Sequence, residues 1–288
     1  MSKTWLIVNG DDFGSSEEVN EGVVRAHQEG VLTSCSLMVT GEAFDQAVRL
    51  AKENPALAVG IHLVTVMGRS VLPKSEIPNL VDEEGRFSNN PVAAGLKYYF
   101  SRAARREMRK ELAAQFDKFK SSGLRLAHID GHLHMHVHPV IFKTALELGE
   151  AFGVKRMRVP IDDPRLALEF EPRGAPVKLV HSLLFLALTS YMKRQLGPKG
   201  FVFTERVYGD LQSGRMSTGY FLHALENLNK RTNEIYFHPA LFDSSQPLTN
   251  EQRQALVEFE ALTSERVIKR VGELGIKLCS YLDLEPAR

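Results

Sequence analysis

The sequence predicts an α/β protein with a mostly parallel sheet, either open or closed into a barrel. Short apolar runs alternate with helical patterns along nearly all of its 288 residues. Acids and histidines recur where those apolar runs end, the position at which chemistry gathers in parallel-strand folds. No internal repeat or low-complexity tract breaks the alternation.

The elements follow in order. "TWLIVNG" makes a strand over Trp5–Asn9 that ends on "DDFG". "SSEEVNEGVVRAHQEG" carries capping serines, first-turn acids and a closing glycine, so a helix runs near 16–29. Ser34–Val39 and Leu57–Leu63 read as strands around a helix near 42–53. Residues 64–90 are rich in Gly, Pro and turn formers and read as a long loop over the site face. A helix near 103–121 leads to a strand at Leu126–Ile129, and Pro139 suits the first turn of a helix over 139–152. Arg156–Val159, Phe201–Val207, Glu234–Phe237 and Lys277–Tyr281 complete the strands, with helices near 216–228 and 249–273. Residues 1–288 form one domain, and the apolar stretch at 174–200 is an insert within it.

That insert, "PVKLVHSLLFLALTSYMKRQLGPKG", is edged by Lys178, Lys193, Arg194 and Lys199. Its apolar run is too short and interrupted to span a bilayer. It reads either as a buried core helix or as a lid whose apolar side meets lipid.

Composition narrows the function. With 36 basic and 35 acidic side chains, no global field attracts nucleic acid. Two cysteines without CxxC spacing argue against a cysteine-built metal site or a disulfide scaffold. The N-terminus runs straight into a strand and does not resemble an export signal, so a cytoplasmic protein is expected. No obligate protein partner is evident.

The chemistry-bearing residues cluster. Five of ten histidines lie in "HIDGHLHMHVHP". On an extended chain His128, Asp130, His132 and His134 would share a face, with a turn beginning near His136. His62 ends "LAVGIHLV" and His238 ends "EIYFHPA". Parallel strands would bring these ends and Asp11–Asp12 into one ring. Two imidazoles and a carboxylate hold a divalent metal, and a second carboxylate beside them can take a proton from its water. Asp12 would then be the ligand and Asp11, turned the other way, the base. The capping alternative leaves the two acids to bond backbone N–H groups of the helix that follows.

"IVNGDDFG", "VGIHLV", "HIDGHLHMHVHP" and "YFHPA" resemble, in order, the four signature segments of the YdjC-like carbohydrate deacetylases, which include the chitooligosaccharide deacetylase. The resemblance runs from about residue 5 to 283. It implies a distorted (β/α) barrel that removes acetyl groups from N-acetylated sugars with one divalent metal. It makes Asp12, His62 and His132 the metal ligands, Asp11 the general base and His238 the general acid. It places Arg158 beside Asp11 or the substrate, with His134 and His136 lining the site, while the tract's own Asp130 can fix a ring's orientation as an acceptor. The apolar insert is similar to that of the hopanoid-biosynthesis-associated branch, which deacetylates an N-acetylglucosaminyl hopanoid. Leu183, Leu184 and Phe185 would then line a path for the polycycle, and basic flanks would rest on anionic headgroups at the inner face of the cytoplasmic membrane.

Zn²⁺ ranks ahead of Mg²⁺ by ligand type. The expected partner is a glycolipid or an acetylated amino sugar. A chitooligosaccharide deacetylase, a phosphoesterase and a metal-dependent glycolipid-binding module without turnover are the competing readings. The binding module leaves Asp11 and His238 without a role, and one metal is fewer than phosphoester hydrolysis usually employs.

Overall fold

A computed structural model describes residues 4–243, 245 and 247–285. Seven strands form one sheet, and every pairing in it is parallel. They are β1 (Trp5–Phe13), β2 (Ser34–Leu37), β3 (Ala58–Leu63), β4 (Leu126–Gly131), β5 (Arg206–Tyr208), β6 (Thr232–Phe237) and β7 (Lys277–Cys279). The order is β4-β3-β2-β1-β6-β5, and β7 pairs with the first residues of β1, leaving the second half of that edge to β2.

The remaining gap, between β4 and β5, is spanned by irregular backbone. Ile129 bonds to the 156–158 segment, Met157 to Val202, and Val207 to Ile161. This bridge makes the structure a distorted α/β barrel. The strands expected at Arg156–Val159 and Phe201–Val207 are accordingly reduced to single bridges and to β5. Pro160 directly follows the first of these segments and stops its extension, because proline donates no ladder bond.

The helices are α1 (Glu17–Glu29), α2 (Phe44–Glu53), α3 (Pro91–Phe100), α4 (Arg102–Ser121), α5 (Pro139–Ala151), α6 (Pro164–Phe170), α7 (Ala175–Leu196), α8 (Thr218–Glu226), α9 (Asn250–Thr263) and α10 (Glu265–Glu273). Side-chain caps set many of their starts: Ser16 for α1, Asn90 with Pro91 for α3, Ser101 for α4, and a Thr249–Gln252 capping box for α9. Helices α3 and α6 were not anticipated, although Asn90-Pro91 and Asp163-Pro164 are both capping signatures. The single helix expected over 249–273 is two, because Ser264 leaves helical geometry with ψ of 123°.

One continuous apolar cluster runs from Leu6 on β1 to Val271 on α10. Helix α7 sits apart from it on most of its surface. Only Lys178, Thr189, Met192 and Leu196 of that helix are buried, whereas Val177, Val180, Leu183 and Leu186 are more than half exposed. Continued through a 3₁₀ turn to Lys199, the helix is long and apolar enough, by length and composition, to cross a membrane. The apolar run alone, without those helical ends, is shorter than a span needs.

Candidate active site

The ends of β1, β3, β4 and β6 meet at one mouth. β1 stays in register with β6 through Gly10 but slips against β2 between Gly10 and Phe13. Asp12 sits in that slip with φ of 64°, a left-handed conformation that costs roughly 1–3 kcal/mol for a residue other than glycine. The bulge separates the two acids. Asp11 is buried against Arg158, while the Asp12 side chain keeps 22% of its surface exposed at the mouth.

Next to Asp12 lie two histidines. His62, near the end of β3, pairs in register with Asp130 on β4. Its Nδ1 lies 2.7 Å from Asp130 Oδ1 as a donor, so that in the neutral ring the lone pair falls on Nε2. That Nε2 is buried without a hydrogen-bond partner and lies 3.3 Å from Asp12 Oδ1. His132 Nδ1 approaches the same oxygen at 3.0 Å. One ligand atom from each of the three residues falls within 4.8 Å of the others. An orphaned ring nitrogen facing a carboxylate and a second imidazole fits a divalent metal by donor chemistry.

Asp11, His62 and Asp130 are also close enough to hold an ion. Their oxygens are already engaged, however: Asp11 with Arg158 and Asn9, Asp130 with Ser36, His62 and Arg158. The Asp12 set is the better metal site.

Behind the mouth, Arg158 is fully buried among three carboxyl groups. It grips both Asp11 oxygens at 2.7 and 2.8 Å, reaches Asp130 at 2.9 Å, and donates twice to Glu234, whose other oxygen accepts from Tyr281. Tyr236 lies under the guanidinium. Burial alone would raise the carboxyls of Asp11 and Asp130, but the Arg158 charge, joined by hydrogen bonds and the neighbouring His62, outweighs it and both stay ionised. Asp11 therefore remains a proton acceptor at neutral pH, held in a fixed orientation.

His62 shows the opposite balance. Burial disfavours its charge, yet Asp130 and Asp12 push its pKa up to about 10 in the metal-free protein. Its imidazolium contributes stability fully below the ordinary value of 6.5, and that contribution is lost as pH rises through about 10. A metal ligand must be neutral, so metal uptake at pH 7 is expected to release about one proton per ion from His62. Titration calorimetry in buffers of different ionisation enthalpy reads that number, and uptake without proton release would remove His62 from the ligand set.

The other expected residues fall in two groups. His238 follows the last residue of β6, whose partner in register is Gly10 at the bulge. Its backbone N–H donates to Glu258, and its ring lies edge-on to Tyr236. His134 and His136 are turned away from Asp12. The chain leaves extended geometry after Gly131, and Leu133 and His134 adopt positive φ, so the alternation expected through His134 stops at the strand end. His134 meets the Tyr236 hydroxyl at 3.1 Å, and His136 meets the Arg158 carbonyl. Burial, reinforced by Arg158, keeps His134 neutral; burial takes His136 down to about 4. His128 stacks on Tyr281 and contacts Ser36. Its ring lies where a Cβ on Gly60 would stand, at 2.3 Å, which explains the glycine in "VGIHLV".

Helix α7 walls a cleft of about 200 Å³ beside this network. Leu179, Leu183, Phe185 and Leu186 line it opposite Ile161 and Leu211, with Asp162, His181, Arg206 and Asp210 as its titratable groups and Ser182 and Thr189 as its hydroxyls. Phe185 lies 6.1 Å from the His134 ring, so the cleft adjoins the buried network behind the mouth. Leu184 falls on the outer face of the helix, 58% exposed.

Sequence reasoning missed Asn9, Ser36, Glu234, Tyr236, Glu258 and Tyr281. The readable signal was a polar side chain inside an apolar strand, as in "NEIYF" for Glu234.

A family model described as YdjC-like protein matches residues 5–273. A carbohydrate deacetylase of Brevibacillus brevis is 36% identical over 282 residues, covering 97% of this chain and 99% of that protein. A chitooligosaccharide deacetylase of Escherichia fergusonii is 32% identical over 289 residues, covering 97% and 98%. Among solved structures, a protein of Enterococcus faecalis V583 with the working name cellobiose-phosphate cleavage protein superimposes with a TM-score of 0.75 at 26% identity. That match covers 99% of this chain and 100% of the other.

Proposed function

Because the chain belongs to the YdjC-like protein family, we propose that it is a metal-dependent carbohydrate deacetylase that hydrolyses the acetamide of an N-acetylglucosaminyl substrate. The observation that carries this reading is the division of two adjacent acids: Asp12 faces two imidazoles at the mouth while Asp11 is locked, ionised, behind it. Asp12, His62 and His132 would hold the ion, and the two-imidazole set ranks Zn²⁺ ahead of Mg²⁺. When bound, the ion supplies Lewis-acid polarisation of the acetyl oxygen and acidifies a water. Asp11 takes the proton of the attacking water, in an orientation fixed by Arg158. His238 gives a proton to the departing sugar amine.

His238→Ala is expected to slow amide hydrolysis by roughly 10²–10⁴-fold. An acetyl ester with a nitrophenolate leaving group needs no such proton and should lose little. Equal losses on both substrates would assign the acid role elsewhere.

For the acceptor we favour an N-acetylglucosaminyl hopanoid, met at the inner face of the cytoplasmic membrane, with segment 174–200 as the lid. The support is the exposed apolar wall of Leu179, Leu183 and Leu186, along which a rigid polycycle could lie but which offers a second sugar few partners. A chitooligosaccharide is the second reading, favoured by the Escherichia fergusonii relative.

Incubation of metal-loaded protein with each substrate, followed by mass spectrometry for loss of one acetyl group, tests both. Each fully buried leucine contributes roughly 1.5–3 kcal/mol before ordering costs. Leu179→Ser/Leu183→Ser/Leu186→Ser should therefore cut hopanoid turnover by on the order of a hundredfold or more and spare a chitooligosaccharide. These side chains are exposed, so the variant should fold. Equal turnover of the hopanoid by wild type and variant ends the hopanoid assignment, and no acetyl loss from either substrate ends the deacetylase reading.

A further inference from the structure

Helix α3 and the first half of α4 form a hairpin that the deacetylation chemistry does not use. Four large apolar side chains of α3 (Val92, Leu96, Tyr99 and Phe100) are exposed, two of them by 73%. Directly after them the solvent side of α4 carries Arg102, Arg105, Arg106, Arg109 and Lys110. The acids of that stretch do not balance these charges. Glu107 and Glu111 are buried on the opposite side, where they accept bonds from Asn79, Val71 and Leu72 of the long loop. In a chain whose net charge is only +1, five cations are thus gathered on one face next to an exposed apolar patch.

The same surface continues to α7. Tyr99, Arg105, Arg109, Lys143 and Tyr191 line one open cleft between the hairpin, α5 and α7, with Glu147 as its acid, paired to Arg109. At 100° per residue, Tyr191 shares the outer face of α7 with Val180 and Leu184, both more than half exposed. Two apolar helices therefore flank a basic cleft. Exposed apolar patches of this kind mark interaction sites, and the charge pattern identifies the partner.

We propose that the α3–α4 hairpin and the outer face of α7 dock on an anionic lipid bilayer, with the cleft of Arg105, Arg109 and Lys143 receiving a lipid phosphate. Apolar side chains enter the interface while cations meet the headgroups, the arrangement of interfacial helices. The inference rests on the membrane placement proposed above but not on the chemistry of the site.

The test is vesicle sedimentation of the full chain with phosphatidylcholine alone and with added phosphatidylglycerol. Wild type should bind the anionic vesicles far better, and salt should weaken that binding. Each interfacial cation is worth roughly fivefold in partitioning, so Arg102→Glu/Arg106→Glu/Lys110→Glu should lose on the order of a hundredfold or more. Leu96→Ser/Phe100→Ser should also lose binding, because a merely basic face would not need these side chains. Deacetylation of a soluble chitooligosaccharide by the charge-reversal variant should be unchanged, which shows that the variant is folded.

Equal binding to both vesicle types, or anionic binding that survives charge reversal, overturns the headgroup assignment and leaves the membrane placement standing. No binding to either vesicle overturns both. If the apolar variant binds as wild type while duplex nucleic acid displaces the vesicles, the face is a polyanion site and the proposal fails.

Discussion

Asp11→Asn is expected to lose roughly 10²–10⁴-fold in turnover while keeping its metal ion, whereas His132→Ala loses the ion and with it all turnover. The two residues lie on opposite sides of Asp12 in the logic of the site. His132 meets the site through Asp12 and the edge of the His62 ring and is partly exposed, so its removal deletes a donor without opening the core. Asp11 reaches no metal-facing atom that is free; its oxygens are held by Arg158 and Asn9. Asparagine keeps its shape and can still accept one of those bonds, and Arg158 retains Asp130 and Glu234. Folding and metal content should therefore survive while the proton acceptor is lost. Metal analysis of the purified variants, paired with chitooligosaccharide deacetylation, separates the roles. Stoichiometric metal in His132→Ala, or near wild-type turnover in Asp11→Asn, sinks the assignment.

The outline of this site was readable because its residues interrupt a simple pattern. An apolar strand that ends on two acids, and three more whose ends carry histidine, are legible without coordinates once the strands are taken as parallel. The parallel sheet followed from the alternation of strands and helices, its closure into a barrel only from the resemblance, and the carbohydrate deacetylase relatives agree with the chemistry the four segments resembled. What was not legible depends on local geometry. The bulge at Asp12 and the left-handed pair Leu133–His134 are backbone choices that side-chain types do not encode, and they decide which histidines face Asp12. The partners of Glu234 were hidden for another reason. A carboxyl inside an apolar strand signals a buried polar contact, but only closure of the sheet brings Arg158 to one of its oxygens and Tyr281 to the other. Helix α3 was missed because its apolar residues are exposed, so they show no periodicity toward a core.

The largest effect on stability is expected from Arg158→Met. Among the described residues the guanidinium is the one cation that touches all three of Asp11, Asp130 and Glu234, with His62 adding a second contact to Asp130 alone. Removing one partner of a buried ion pair costs about 3–5 kcal/mol, because the other charge is left uncompensated. Here three carboxyl groups lose the same partner at once, so the loss at neutral pH should reach at least that range.

The pH dependence distinguishes this cause from lost packing. Arg158 holds Asp11 and Asp130 below the ordinary 3.8, so in the wild type their contribution is present above that value and fades as pH falls through the lower folded values. In Arg158→Met the same carboxyls can become neutral by binding protons. Its deficit should therefore be greatest near neutrality and shrink as pH falls. Arg158→Lys restores a charge but not the planar fork that serves three acceptors, so it should recover only part of the loss. Denaturant unfolding of the three proteins across pH measures the effect. A deficit in Arg158→Met that stays constant from neutral to acid pH would show that the arginine acts as packing, and the electrostatic account of how Asp11 is held would fall with it.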